Sequence, residues 1–211
     1  MAEQQNILVI LGHPTAESLC AGMARAYAEG ARRSGAQVRF LDVGQLTFNS
    51  LFQGYGAAQP LEPDLLAAQA DITWAHHLVW VYPIWWGAMP ALLKGFIDRV
   101  LLPGYAFKYR KGSSLWDKLL AGRSAELLVT MDSPPWYFRW VTRMPGHHQM
   151  KKAILEFCGI SPVQVHSFGP VRSASTERLA QWVEKARQLG QRHGARSAPG
   201  KPRPAPVTSS P

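Results

Sequence analysis

The sequence predicts an α/β protein, a three-layer sandwich in which a five-stranded parallel sheet is covered by helices on both faces. Three observations carry that expectation. Short apolar runs such as Ile7 to Leu11 and His77 to Tyr82 suit strands buried on both faces. Stretches with apolar residues at three- and four-residue spacing alternate with those runs, as amphipathic helices do. Strands alternating with helices call for parallel pairing and right-handed crossovers.

Taken in order, Ile7 to Leu11 is the first strand and Gly12 to Glu17, GHPTAE, a turn-rich loop. A helix is expected from Ser18 through about Arg33, facing inward with Leu19, Met23, Ala26 and Tyr27 and ended by Gly35. Val38 to Leu41 is the second strand. Asp42 to Pro63 has scattered Gly, Asn and Pro and reads as a long, irregular excursion, and Leu65 to Thr73 is a helix. The central strand, His77 to Tyr82, stops at Pro83, which donates no ladder hydrogen bond, and Pro83 to Met89 is a loop with a turn at Gly87. Pro90 takes the first position of a helix whose Leu92, Leu93, Phe96, Ile97 and Val100 share one face and which ends near Leu102 to Gly104. Tyr105 to Gly122 is a second excursion, Ala125 to Thr130 the fourth strand, and Met131 to Pro145 a loop rich in Pro, Trp and Arg. His148 to Cys158 is helical, Val163 to Phe168 the fifth strand, and Thr176 to Leu189 a closing amphipathic helix.

A chain of 211 residues is long enough for one domain with a core that needs no disulfides. The two cysteines, Cys20 and Cys158, sit in no pairing or metal-ligand motif, so no metal is expected, and their usage fits a reducing cytoplasm. The apolar run near the amino terminus is too short for a secretory core or a membrane span. A net charge of +9 raises nucleic acid as a partner, but the excess gathers at the carboxyl end, where no acid follows Glu184. That end turns rich in Pro, Ser and Arg, so the division expected is a domain over 1–193 and a disordered basic tail over 194–211, with no nucleic-acid partner. Arg139 to Lys152, also without acids, either receives phosphates or is a solvated face.

Open parallel sheets bind ligands at the carboxyl ends of their strands, where the strand order reverses. The loops after the first, central and fourth strands flank that point, and they are also the three whose composition stands out. The first enters a helix amino terminus, whose unpaired N–H groups and dipole favour an anion, with hydroxyls from Thr15 and Ser18 and with His13 nearby. Ser18 serves equally well as an ordinary helix cap. It is neither a dinucleotide fingerprint nor a P-loop. The central loop offers Trp85 and Trp86, which either cap the core or form a flat wall for a planar ring. An anion seat and an aromatic wall on one sheet edge match a flavin nucleotide.

GHPTAESL at 12–19, YPIWWGAMPALLKGFIDRV at 82–100, GYAFKY at 104–109 and ILEFCG at 154–159 stand in order along the chain. Through these blocks it resembles the flavodoxin-like NAD(P)H:quinone oxidoreductases, the DT-diaphorase and modulator-of-drug-activity B type. The resemblance implies bound FAD or FMN, reduced by NADH or NADPH, passing hydride to a quinone-like acceptor in a cytoplasmic homodimer. It implies contacts to the flavin from His13, Ser18, Leu19 and Cys20, from Pro83, Ile84, Trp85, Trp86 and Gly87, and from Thr130, Met131 and Asp132. Tyr137 and His148 are the candidate catalytic groups. The chain departs from the family where Met131 to Pro135 replaces a glycine-rich loop, where Asp132 would disfavour an anionic reduced flavin unless turned to solvent or Arg139, and where Cys20 stands for a common asparagine. Other readings of the same fold are an electron carrier without NAD(P)H activity and a flavin-binding ancillary or regulatory protein.

Overall fold

The computed structural model describes residues 4–55 and 59–196. Its main sheet has five strands, β1 (Asn6–Leu11), β2 (Gln37–Asp42), β3 (His77–Pro83), β6 (Ser124–Thr130) and β7 (Val163–Phe168), all parallel in the order β2-β1-β3-β6-β7. Between β3 and β6 runs a small antiparallel hairpin, β4 (Phe107–Tyr109) and β5 (Trp116–Lys118). The three-layer, five-stranded architecture is the one the sequence predicts.

Alternate residues of each strand enter opposite cores, as the two-residue period of a strand requires. Leu8, Ile10, Leu78, Trp80 and Leu127 pack under α2 (Pro63–Trp74) and α3 (Ala91–Val100), whereas Ile7, Val9, Leu11, Val79 and Leu128 pack under α1 (Leu19–Arg33) and α6 (Thr176–Gly194). The α1–α6 contact is a close backbone approach. A Cβ at Gly190 would lie 2.1 Å from the Tyr27 carbonyl oxygen, so only glycine fits there. That approach lowers the end of α6, with His193, onto the sheet.

Several elements differ from the sequence reading. Pro83 ends β3 instead of opening the loop: it pairs with Thr130, and the neighbouring Ile84 N–H supplies the bond to the Thr130 carbonyl (2.7 Å). Pro90 is the extended residue before α3 (ψ 147), and the helix starts at Ala91. The segment expected as a loop over Met131 to Pro145 contains α4 (Pro135–Trp140), a short turn started by proline. The helix expected from His148 starts as α5 (Pro145–His148) and widens into a π-helix over Gln149–Glu156. The closing helix runs on to Gly194, and the tail expected over 194–211 lies from Ser197 onward outside the described residues. Among the described residues no helix is long and apolar enough to cross a membrane.

Candidate active site

The order β2-β1-β3 reverses direction between β1 and β3, so the loops after those two strands part there and leave a cleft at the carboxyl edge. This cleft is about 200 Å³. Three of its walls come from the three loops, and Val171, after β7, adds to the lining.

His13, Ser18, Leu19 and Cys20 line the first wall. Ser18 is the N-cap of α1: its Oγ accepts the Ala21 N–H at 3.2 Å. With the third helical N–H thus satisfied, the N–H groups of Leu19 and Cys20 have no intrahelical acceptor and can hold an anion. The two readings of Ser18, cap and anion-loop residue, are therefore compatible. His13 is held by Thr15, whose backbone N–H donates to Nδ1 at 3.0 Å. In the neutral ring this bond puts the proton on Nε2, a donor still available to a ligand. Glu17, a like charge that would oppose an anion, does not line the cleft and is exposed.

Pro83, Ile84 and Trp85 line the second wall. Trp85 is 46% exposed, and the His13 ring meets it edge-on at 5.6 Å. The chain then reverses in a tight turn, with Trp85 N–H to the Ala88 carbonyl at 2.8 Å and Ala88 N–H back to Trp85 at 3.0 Å. Its two central residues are left-handed, Trp86 at φ 52 and Gly87 at φ 79, which is the requirement of a type I′ turn. Glycine suits that geometry; a tryptophan there is strained. The turn carries Trp86 away from the cleft, and its side chain is 104% exposed. Of the residues expected around the flavin, Trp86 and Gly87 are the two that do not line the cleft.

Thr130, Met131 and Asp132 complete the lining with Val171, which the sequence reading missed because it follows the fifth strand. Thr130 and Cys20 are buried and meet at 3.2 Å, Oγ1 to Sγ, joining β6 to α1. Burial pushes the Cys20 thiol up to about 11, with the Thr130 bond opposing, so it stays a neutral thiol beside the anion seat. Asp132 is exposed to solvent, one of the two orientations expected, and its Oδ1 also accepts the Arg172 backbone N–H at 2.9 Å, tying down the loop after β7.

Neither candidate catalytic group lines the cleft. Tyr137 sits on α4 with its ring edge-on to Trp136 at 5.9 Å, and His148 is exposed at the end of α5. The neighbouring His147 is the buried one, its Nε2 2.8 Å from the Ser167 hydroxyl. Burial, with His148 adding, lowers it to about 4.

A family model described as flavodoxin-like fold matches residues 5–190. The chain belongs to the flavodoxin-like family. The likeness read from its four sequence blocks is thereby borne out. An uncharacterized NAD(P)H oxidoreductase of Haemophilus influenzae is 28% identical over 192 residues, covering 88% of this chain and 94% of that protein. NAD(P)H dehydrogenase (quinone) 1 of Rattus norvegicus is 26% identical over 196 residues, covering 77% and 69% respectively. The flavodoxin-like architecture also superposes on the FMN-dependent NADH-azoreductase of Bacillus anthracis, solved in complex with FMN, with a TM-score of 0.69, 18% identity, and 89% and 98% coverage.

Proposed function

We propose that this protein is a flavin-dependent NAD(P)H oxidoreductase that reduces a quinone-like acceptor. The cleft at the switch point carries the reading, because it joins an anion seat to a flat apolar wall. The donor set fits FMN or FAD: first-turn N–H groups of Leu19 and Cys20 and the Nε2 of His13 suit the phosphate, and Pro83, Ile84 and Trp85 suit the isoalloxazine ring. Thr130, Met131 and Asp132, which line the cleft, would hold the pyrimidine edge. Gly87 enters as the turn that holds Trp85 in place, and Trp86 as part of the rim.

The bound flavin supplies hydride acceptance and donation at its N5. The chain's own task is to place the ring with one face open, so that nicotinamide and acceptor occupy that face in turn. Asp132, exposed to solvent and with its Oδ1 held by the Arg172 backbone N–H, would shape the loop at the ring edge and not set the charge of a reduced flavin. Tyr137 and His148 are assigned to the acceptor side, where their exposed polar atoms can hydrogen-bond a quinone oxygen.

A homodimer forms part of the proposal, supported by the exposed Trp86 in the loop after β3 and Trp136 and Trp140 on α4. A cytoplasmic location is supported by two buried, free cysteines. The domain division assigns residues 194–211 no part in turnover, so a chain ending at Arg196 retains full activity.

The test is anaerobic addition of NADH or NADPH to the purified protein. Bleaching of the flavin absorbance within seconds, reversed by a quinone, is expected. A flavin that bleaches only with a partner reductase would make it an electron carrier. A protein that neither carries nor takes up flavin would be a regulatory member of the fold. Mass spectrometry of the released cofactor separates FMN from FAD.

A further inference from the structure

At the opposite end of the sheet the chain buries a second arginine, and it does so differently from the first. Arg99 is 1% exposed and paired: Glu62 accepts from its two Nη groups at 3.2 and 2.8 Å, and the Asn49 and Pro60 carbonyls take further bonds. Arg123 is equally buried, at 2%, and no carboxylate bonds to it among the described residues. Its Nε and Nη2 donate to the Ile72 and Thr73 carbonyls at 3.0 and 2.8 Å, closing the end of α2, while Nη1 is buried with no partner. A buried guanidinium that lacks both a counter-ion and a full set of acceptors is costly unless something else completes it.

Arg123 lines a pocket of about 280 Å³ at the amino edge, several times the share of about 30 Å³ that one water takes in the liquid. Two more of its lining residues, Gln5 and His193, also carry buried polar atoms without partners, Oε1 and Nδ1. Ser124, Ser161 and Arg196 complete the polar lining, and no acidic side chain contributes to it. Arg196 acts electrostatically on both Tyr27 and His77 beneath, so its charge is felt in this corner. The negative end of the α6 dipole also points here, but Arg192 and His193 in its last turn oppose it. His193 turns its Nε2 inward, 3.4 Å from the Glu126 carboxylate, and leaves its Nδ1 on the pocket side. A half-turn of the Gln5 carboxamide presents its NH₂ in place of the oxygen.

We propose that this amino-edge pocket is a second ligand site, separate from the cleft at the carboxyl edge, and that it takes a small phosphoryl oxyanion. Arg123 supplies the fixed charge and Nη1 donor, Arg196 the second charge at the mouth, and the Gln5 carboxamide and the Ser161 hydroxyl the remaining donors. The occupant is either free phosphate or the terminal phosphoryl group of a small ester, which present the same oxygens.

Amide chemical-shift mapping of the ¹⁵N-labelled, full-length protein, titrated with inorganic phosphate and separately with glycerol 3-phosphate against sodium chloride at matched ionic strength, tests it. Saturable shifts are expected at Gln5, Gly122 to Ser124 and His193 to Arg196. Tighter binding of the ester would identify the esterified source, and tighter binding of phosphate the free ion. Arg196→Glu, a change at an exposed residue, is expected to weaken binding roughly tenfold or more while leaving the thermal midpoint near wild type. Because Arg123 also closes α2, Arg123→Lys serves as the second variant, keeping charge but losing the fork, and is expected to bind more weakly. Shifts confined to Leu19 to Ala21, shifts equal to those in chloride, or full affinity in Arg196→Glu would overturn the proposal.

Discussion

At the carboxyl edge of the sheet the polar groups stand open to solvent, whereas in the interior, behind the amino-edge pocket, similar groups are sealed inside. His13 is half-buried, tied only to Thr15, with one nitrogen available. His77 and His193 are buried, stacked face to face at 4.0 Å, and committed to a carboxylate. That carboxylate, Glu126, is 0% exposed in the middle of an apolar strand. It accepts from the Tyr27 hydroxyl at 2.8 Å and His166 Nε2 at 2.7 Å, with His193 at 3.4 Å. Burial alone would raise its pKa, but the bonds from His166, His193 and His77 outweigh burial and hold it far below the usual carboxylate range. The ligand atoms of His77, Glu126 and His193 lie close enough to suggest a metal site. Parallel imidazoles 12° apart, however, direct their nitrogens alongside each other instead of converging on one ion. The difference teaches that unpartnered donors mark the edges built to bind, and saturated ones the interior that holds the sheet and α1–α6 together.

Removing the centre of the sealed network sharpens that contrast most. Glu126→Leu leaves Tyr27, His166 and His193 with donors facing an apolar side chain, and is expected to cost about 3–5 kcal/mol of stability. Urea unfolding measures it. Flavin affinity of the folded fraction should hold, since no residue of the network lines the carboxyl-edge cleft. A variant as stable as the parent, or one that loses flavin while remaining folded, would break the comparison.

Acid should act on the same interior. Burial lowers His77 to about 4, with His193 adding, so the ring stays neutral in the folded state through mildly acidic pH. In the unfolded chain it titrates near about 6.5, so between those values the unfolded state binds more protons and stability falls as pH falls. Between pH 7 and 5 the loss from His77 is about 2 kcal/mol, and the depressed His147 acts in the same direction. Glu126 adds a further loss only below the unfolded carboxylate range, because its folded value is lowered. Urea midpoints at the two pH values check this, and equal midpoints would mean His77 is charged in the fold.

The open edge was largely legible in the sequence and the sealed interior was not, for a physical reason. Loops that bind carry their signal locally: a helix start after a buried strand, or two tryptophans between a proline and a glycine, read from a few adjacent residues. The network draws on Tyr27, His77, Glu126, His166 and His193, each on a different element. The one local clue is Glu126 inside SAELLVT, an acid where a doubly buried strand wants an apolar residue. The hairpin β4–β5 escaped because three-residue strands are too short for a two-residue period to show. Trp85 and Trp86 were legible as a pair but not as individuals, since adjacent residues in a turn diverge by an angle that only the backbone sets.

That divergence yields the next test. Trp85 lines the cleft and is the wall on which an isoalloxazine ring would stack, so Trp85→Ala is expected to weaken flavin retention by about tenfold through lost stacking. Ultrafiltration at graded flavin concentration measures it. Unchanged retention would remove the second wall from the site.

Trp86 should behave in the opposite sense. Its side chain is fully exposed and its backbone sits at φ 52, a region that asparagine tolerates and tryptophan does not favour. Asn-Gly is a preferred pair for the type I′ turn, and Trp86-Gly87 occupies those two central positions. Trp86→Asn is therefore expected to stabilise the monomeric fold by about 0.5–1 kcal/mol while changing flavin retention less than Trp85→Ala does. If the exposed indole instead seals against a second copy of the chain, the variant will sediment as a lighter species, and its flavin affinity will fall with dimer content instead of with the ring contact. Sedimentation and thermal midpoints on the same samples separate the two: strain relieved in an unchanged assembly assigns Trp86 to the turn alone, whereas loss of mass assigns the indole to the subunit contact and explains why a strained tryptophan stands where asparagine would fit better.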